Sequence, residues 1–595
     1  MKEQVKNMMS QNLKIFIGKM RMLKNVTRSL FIFMGEDIKR GTLSKNLKGI
    51  GKMELAEEMS WAELVEEKAA KFGSRIYLTY EDNNISYRDM DDNANRIANF
   101  LKKAGGHQGV GVAIFMDNSP RFLDVFFGLQ KIGMYAVPVN TSLKGEGMKY
   151  ILNHCDARFL VIDQQHLHTL QKIETDLDTI DTIIVNPSED SPISPEKKYL
   201  SLDNAYTENP HNPGTGYNRD DICFITYTSG TTGLPKGVVY RYRNSGVKFF
   251  SLIAHILWRK RDVMYTCMPL FHANALVVTC TSALHAGARV VLEKKFSASR
   301  FWHSIRTHGV TTFNTIGAMI PILMKQPENE LDGKNNVRFI ISAACPPELW
   351  EQFEKRFNTT IYETYGAVDS GGKTILNLGT APVGSIGKPP MKVTYRLVDE
   401  HMNDVEEGEP GELIFPAPKE KTTSSGVEFY KNEEATSAKQ SDGWIRTGDL
   451  LKRDKKGYLY FVGRNTESMR IKGENVSAYE VEQVIQNHPS VLEVAVFAVP
   501  SDLAEDEIMA RVKIVDGKRI TEKELWEFTI ENLAKFAVPR YIKFVSDFDK
   551  TETHRIKKKQ LEHDGIVEGT YDAQKNTYIT TGNNKLKEAA TGNGV

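Results

Sequence analysis

The sequence predicts an α/β fold. It has a large N-terminal domain of parallel, helix-covered sheets with an antiparallel β subdomain, and a small mobile α+β C-terminal domain. Three observations predict it. From about residue 74 to 364, apolar strands alternate with amphipathic helices, and repeated strand–helix–strand units imply parallel sheets between helical layers. Between 380 and 460, short strands are separated by Gly- and Pro-rich turns, the mark of antiparallel pairing. The chain has 595 residues, more than one ordinary core serves.

Residues 1–50 form an N-terminal extension. In it Leu13, Phe16, Met20, Leu23, Leu30 and Phe33 recur at helical spacing, with Lys14, Lys19, Arg21, Lys24 and Arg28 between them. The first acid after them is Glu36. A basic amphipathic helix suits a membrane interface, so peripheral membrane contact through residues 11–34 is one expectation. Docking on the enzyme's own surface is another, and an over-long start preceding Met53 a third. No small-residue cleavage site follows, so this is not a secretory signal.

The N-terminal domain is placed at 51–464. GVAIFM (111–116) reads as a strand, and Phe122, Val125, Phe126 and Leu129 give the face of the next helix. AVPVN (136–140) and RFLVID (158–163) are strands. The alternation resumes at 222–228, 263–268, 288–292, 311–313, 338–342 and 360–364. VTYRLVD, GELIF and GYLYFVG supply the antiparallel part. The C-terminal domain is placed at 465–570, with the helices SAYEVEQVIQNH and TEKELWEFTIENLA and the strand EVAVFAV. Residues 571–595 read as a polar, loosely ordered tail.

Composition excludes several classes. The formal net charge of +1 points to no nucleic-acid partner. Cys155, Cys223, Cys267, Cys280 and Cys345 are scattered and odd in number, so they read as buried thiols in a reducing compartment. No Cys/His cluster has zinc spacing. No apolar run reaches the roughly 18 residues of a membrane span. A cytoplasmic protein is expected, with the inner face of a membrane as the variant that the basic helix suggests. Oligomeric state is not legible.

The most informative stretch is YTSGTTGLPKG at 227–237. Eleven residues carry four Ser or Thr hydroxyls, three Gly and one Lys, directly after the apolar run DICFI. A strand ending in such a loop offers backbone N–H groups, hydroxyls and a cation to the phosphates of a nucleotide. Gly230, Gly233 and Gly237 let the backbone approach an anion, and Lys236 adds a compact charge. The spacing is not that of a Walker loop, because Pro235 precedes Lys236 and Gly237 follows it. Lying after its strand, the loop sits where open α/β sheets bind ligands.

This segment resembles the phosphate loop of the adenylate-forming (AMP-binding) superfamily, which contains the acyl-CoA synthetases. Further segments match in the same order, from about residue 55 to 570. They are MPLFHANAL (268–276), YETYGAVDS (362–370), WIRTGDL (444–450), GRNTESMRIKGENVSAYEVE (463–482) and KTETHRIKKKQL (550–561). The wording of NTSLKGEG and KGENVSAYEVE looks most like the fatty-acid-transport-protein and very-long-chain acyl-CoA synthetase branch. The carnitine-CoA ligase type is close behind.

The resemblance implies an ATP-dependent acyl-CoA synthetase that works through an acyl-adenylate, with ATP, Mg2+ and CoA. The expected acid is a long-chain fatty acid or a similar bulky apolar carboxylate, held in a tunnel built near residues 244–320. Thr228, Ser229, Gly230, Thr231, Thr232, Gly233 and Lys236 would cradle the β- and γ-phosphates. Tyr365 and Gly366 would meet adenine, although a packed core tyrosine is the alternative reading. Asp449, with Arg464 nearby, would take both ribose hydroxyls. Arg470, Lys472 and Gly473 would serve the nucleotide and the pantetheine arm. Lys236, Thr231, His272 and Arg555 would stand nearest the chemistry, His272 as a gate rather than an acid or base.

Three departures from the family pattern stand out. The Tyr-Gly motif continues Ala367-Val368-Asp369 instead of Thr/Ser-Glu, so Asp369 is the expected magnesium ligand on a shorter arm. Arg555 stands where the family has its adenylation lysine, and Arg is not an equivalent cation. Lys557, Lys558 and Lys559 lie close enough in sequence to substitute for it. The hinge position aligns with Thr466. Two other readings remain: a catalytically attenuated acyl and ATP binder at a membrane, and an adenylating enzyme that delivers to a carrier protein.

Overall fold

The computed structural model describes residues 13–31, 59–187, 199–214, 216–228, 235–316, 319–390, 393–418, 426–465, 468–471, 474–500, 506–533, 537–551 and 555–580. Two large sheets form the first domain. One has the strand order Tyr199–Ser201, Thr182–Asn186, Ala157–Asp163, Gly111–Phe115, Tyr135–Pro138, Ile222–Thr228 and Lys236–Arg241. Its pairings are parallel except the last, in which Lys236–Arg241 returns antiparallel to Ile222–Thr228. The second sheet has eight strands, from Thr374–Asn377 at one edge to Asn83–Ser86 at the other. It too is parallel inside and antiparallel at both edges.

The expected alternation is what produces these layers. Gly111–Phe115 is buried at every position, as a strand covered on both faces must be. The next helix, Pro120–Lys131, starts with the Ser119 hydroxyl accepting from the Phe122 N–H and with proline at its first turn. Phe122, Val125, Phe126 and Leu129 are all fully buried, each contributing about 1.5–3 kcal/mol.

The antiparallel subdomain is a four-stranded sheet of Arg396–Val398, Gly411–Pro416, Trp444–Arg453 and Leu459–Arg464. The C-terminal domain has a five-stranded sheet led by Val491–Pro500, Asp506–Ile514 and Tyr541–Val545, with the helices Ala478–Gln486 and Glu522–Asn532. The expected polar tail differs here. Tyr571–Asp572 and Thr577–Tyr578 are strands of this sheet. An ion pair between Arg540 and the buried Asp572 draws the polar sequence in. Residues 581–595 lie outside the described residues.

Residues 13–31 are a helix, as the spacing predicts. It docks on the large domain. The Arg28 guanidinium donates to the His255 carbonyl at 2.7 Å, and the Ser29 hydroxyl donates to the Leu252 carbonyl at 3.0 Å. No helix among the described residues is long and apolar enough to cross a membrane. All five cysteines are free and buried. Burial pushes the Cys155, Cys267 and Cys280 thiols up to about 12.

Candidate functional site

The expected phosphate loop joins the strand Ile222–Thr228 to the antiparallel strand Lys236–Arg241. Thr228 pairs with Lys236 across it. Ser229, Gly230, Thr231, Thr232 and Gly233 lie outside the described residues. At the returning strand Lys236 Nζ stands 5.5 Å from the centroid of the Phe429 ring. Gly237 is where close approach is needed. A Cβ there would stand 2.8 Å from Ile225 Cγ2 and 3.1 Å from Tyr227 Cζ, so a side chain would push the two strands apart.

The Thr-Gly-Asp and Tyr-Gly motifs converge from different sheets. The Tyr365 hydroxyl donates to Asp449 Oδ2 at 2.7 Å, and Arg464 Nε lies 3.2 Å from Asp449 Oδ1. Asp449 and Arg464 are also register partners on adjacent strands. Asp449 is 4 % exposed. Burial pushes its carboxyl above the ordinary carboxylate range, against the pull of the Arg464 cation and the Tyr365 hydroxyl. The Tyr365 ring packs with Ile375, Ile386 and Leu397, so the tyrosine is a core residue whose hydroxyl holds the carboxylate. Gly366 ends its strand, exposed.

The turn carrying Asp449 is itself held. The Thr447 hydroxyl donates to the Leu413 carbonyl at 2.6 Å and accepts from the Asp449 N–H at 3.1 Å. Gly448 has φ +79°, a conformation that favours glycine. Its N–H donates to Glu412 Oε1 at 2.9 Å, and Glu412 also takes the Arg446 guanidinium. Glu412 carries no motif signature. Only its place on the neighbouring strand reveals the role.

Asp369 stands beside Lys439, with Nζ 2.7 Å from Oδ2. Val368, which departs from the family's hydroxyl, packs in an apolar cluster with Val238, Phe429 and Ile445. Its carbonyl accepts from the Tyr240 hydroxyl at 3.0 Å. Magnesium is satisfied by one or two carboxylates with waters and substrate phosphates. A half-buried Asp369 with one oxygen on an ammonium fits that modest demand. Lys439 went unnoticed in the sequence because nothing in the spacing ties it to Asp369.

His272 is set by the turn after Pro269, whose carbonyl accepts its N–H at 3.1 Å. Its Nε2 is buried with no hydrogen-bond partner among the described residues. Burial first, and then the Arg555 guanidinium, push its pKa down to about 4, so the imidazole is neutral near pH 7. Arg555 comes from the other domain, and its charge reaches His272. Of the neighbouring lysines, Lys558 is engaged by Glu482 at 2.8 Å. Lys550, on the same segment, pairs with Glu493 at 2.6 Å. A cavity of about 250 Å3 lies between the domains, lined by Asn118, Pro269, Phe271 and Lys295 on one side and Lys550 and Thr551 on the other. Thr466, Lys472 and Gly473 lie outside the described residues, as does the side chain of Arg470.

Glu363 was also missed. It accepts from the Ala344 N–H at 2.6 Å and the Cys345 N–H at 3.4 Å, and Ala344 is held at φ +75°. Burial pushes the Glu363 carboxyl up to about 7. An acid whose folded pKa lies above its unfolded value of 4.5 gives stability that is full below 4.5 and is lost as pH rises through 7. Glu363→Gln keeps an acceptor for the N–H groups and removes the proton. Its unfolding midpoint is expected to be flatter than the parent's between pH 4.5 and 7. Parallel slopes in thermal melts across that window would contradict this.

A sequence model of the AMP-binding enzyme family matches residues 65–419, and one of its C-terminal domain matches residues 480–555. A crotonobetaine/carnitine–CoA ligase of Proteus mirabilis is 33% identical over 500 residues, covering 80% of this chain and 93% of that one. The solved anthranilate CoA ligase in complex with anthranoyl-AMP superposes with a TM-score of 0.76 at 26% identity, over 86% of this chain and 98% of its own. A Mycobacterium tuberculosis fatty acyl CoA synthetase superposes with a TM-score of 0.61 at 25% identity, over 85% and 98%. These likenesses carry the superfamily but not specifically the fatty-acid-transport-protein branch that the wording of two segments suggested. ATP, Mg2+ and CoA are what adenylate-forming CoA ligases use. With its large domain and its small domain each matched, and with both on one cleft, the chain belongs to the AMP-binding enzyme family.

Proposed function

We propose that the chain is an ATP-dependent acid–CoA ligase acting on a compact carboxylic acid that carries a polar group. The observation that carries the reaction class is the meeting of Asp449, Tyr365 and Arg464, and the Arg555 charge acting on His272 is consistent with it. In the first step a carboxylate oxygen of the acid attacks the α-phosphorus of ATP. The bond to the bridging oxygen breaks, and pyrophosphate leaves with its electron pair. In the second step the CoA sulfur attacks the acyl carbonyl, the thiol proton passes to solvent, and AMP leaves. Asp449 orients the nucleotide through its ribose. Arg555 stabilises charge where the two reactants meet. A bound magnesium ion would neutralise phosphate charge, and Asp369 is the residue to hold it.

The choice of a compact acid rests on two supports. The relative from Proteus mirabilis is a crotonobetaine/carnitine–CoA ligase. And the region expected to form an apolar tunnel contains a buried amide cluster: Asn314 Nδ2 donates to Asn274 Oδ1 at 3.0 Å and to the Thr279 hydroxyl at 2.9 Å. Polar groups placed among apolar ones can fix a polar substrate's orientation. A long-chain acid is the second reading, favoured by the apolar helix Val247–Leu257 in that region and by the superposition on a fatty acyl CoA synthetase.

A panel of carnitine, crotonobetaine, anthranilate, benzoate and palmitate separates the readings. Thioester formation is read by mass spectrometry, and pyrophosphate release is followed with and without CoA. A compact acid should exceed palmitate by about tenfold or more in kcat/KM. Preference for palmitate would overturn the substrate reading alone. Pyrophosphate release without any thioester product would overturn the ligase reading.

A further inference from the structure

We propose that the helix 13–31 is a membrane-docking element: its outward face enters the interface of a bilayer containing anionic lipid while its inward face stays on the enzyme. The helix has two apolar faces, and the enzyme covers only one. Inward, Met22 and Val26 pack against the main core, and Arg28 and Ser29 donate to the carbonyls of His255 and Leu252. Gly18 lies so near the Gly379 carbonyl that a Cβ would collide with it. The helix is therefore seated closely on that side. Outward, Leu13, Phe16, Ile17, Met20, Leu23 and Phe31 are between 48% and 73% exposed. They recur at the three- and four-residue spacing of one stripe.

Exposed leucine, methionine and phenylalanine in one continuous stripe mark a contact surface. Charge selects the occupant. Lys14, Lys19, Arg21, Lys24 and Arg28 lie in this helix, and no acid does. Lys19, Arg21 and Lys24 are exposed. A second copy of the helix would bring the same cations against these. An anionic lipid surface meets the cations with phosphate and the stripe with acyl chain. The helix is too polar to span a bilayer, and it lies along the surface of the large domain beside helix Val247–Leu257. It thus lies in the plane of an interface.

The test uses the full chain and sedimenting vesicles, either of phosphatidylcholine alone or of phosphatidylcholine mixed with phosphatidylglycerol. Binding to the mixed vesicles is expected to be about tenfold tighter or more, and to weaken as salt rises. The outward variant Phe16→Ser/Met20→Ser/Leu23→Ser should lose about tenfold or more on mixed vesicles and keep its vesicle-free thioester activity. Lys19→Gln/Arg21→Gln/Lys24→Gln should bind both vesicle types alike. Equal or absent binding of the parent to the two vesicle types would overturn the proposal, as would unchanged binding by the serine variant. A concentration-dependent dimer in sedimentation velocity, lost in the serine variant, would assign the face to a second copy instead.

Discussion

Asp449→Asn is expected to lower kcat/KM for ATP by about 100-fold, because the amide replaces a carboxylate that accepts charge-assisted hydrogen bonds worth roughly 1.5–3 kcal/mol each. The carboxylate is not a loose surface group. It is buried, carries the Tyr365 hydroxyl on one oxygen and faces Arg464 with the other. Its raised pKa says that the charge is held at a cost, and such charges cluster at working sites. ATP–pyrophosphate exchange reads the effect without requiring CoA. The loss should fall on the KM for ATP more than on the acid. A change of less than about threefold would remove Asp449 from the nucleotide site. Tyr365→Phe is the companion, with a smaller expected loss of about tenfold, because one neutral donor is withdrawn.

Arg555→Ala should slow acyl-adenylate formation by about 10²- to 10³-fold, the usual effect of removing one preorganised donor from a site of developing charge. The second half-reaction, started from preformed acyl-adenylate and CoA, should change by less than about threefold. This asymmetry is the informative part. A residue that merely props up the small domain would slow both halves together. Arg555→Lys should form acyl-adenylate faster than the parent, since a compact ammonium suits a point contact and a planar fork does not. Rapid-quench measurement of acyl-adenylate decides it, and a lysine variant slower than the parent would refute the reading of Arg555 as a substituted adenylation cation. Lys558 offers no easy rescue, because Glu482 already engages it.

Much of this arrangement was legible before any coordinates. The alternation from Gly111 to Gly366 became two parallel sheets because continuous apolar runs have few other stable destinations. Asp449, Tyr365 and Arg464 were each read as nucleotide residues, and the fold brings them within hydrogen-bonding distance. What sequence could not give were contacts set by tertiary approach. Lys439 reaches Asp369 across 70 positions (439 − 369), and no local period records such a pair. Glu412 holds the Gly448 turn only because two strands are neighbours. Tyr365 read as meeting adenine, with a packed core tyrosine as the alternative, and no spacing records that its hydroxyl donates to Asp449 while its ring completes a core that its own strand helps to build. The short strands at 571–578 carry too few apolar residues to announce themselves, and Arg540 supplies their anchor.

The interior thiols have a practical consequence for any enzymology on this chain. With Cys155, Cys223, Cys267, Cys280 and Cys345 all sealed inside, and four of them pushed far from ionisation, a disulfide dye added to the native protein should find nothing to colour it. The sulfur of coenzyme A then becomes the sole chromogenic group in the cuvette, and its disappearance can be watched directly as turnover proceeds.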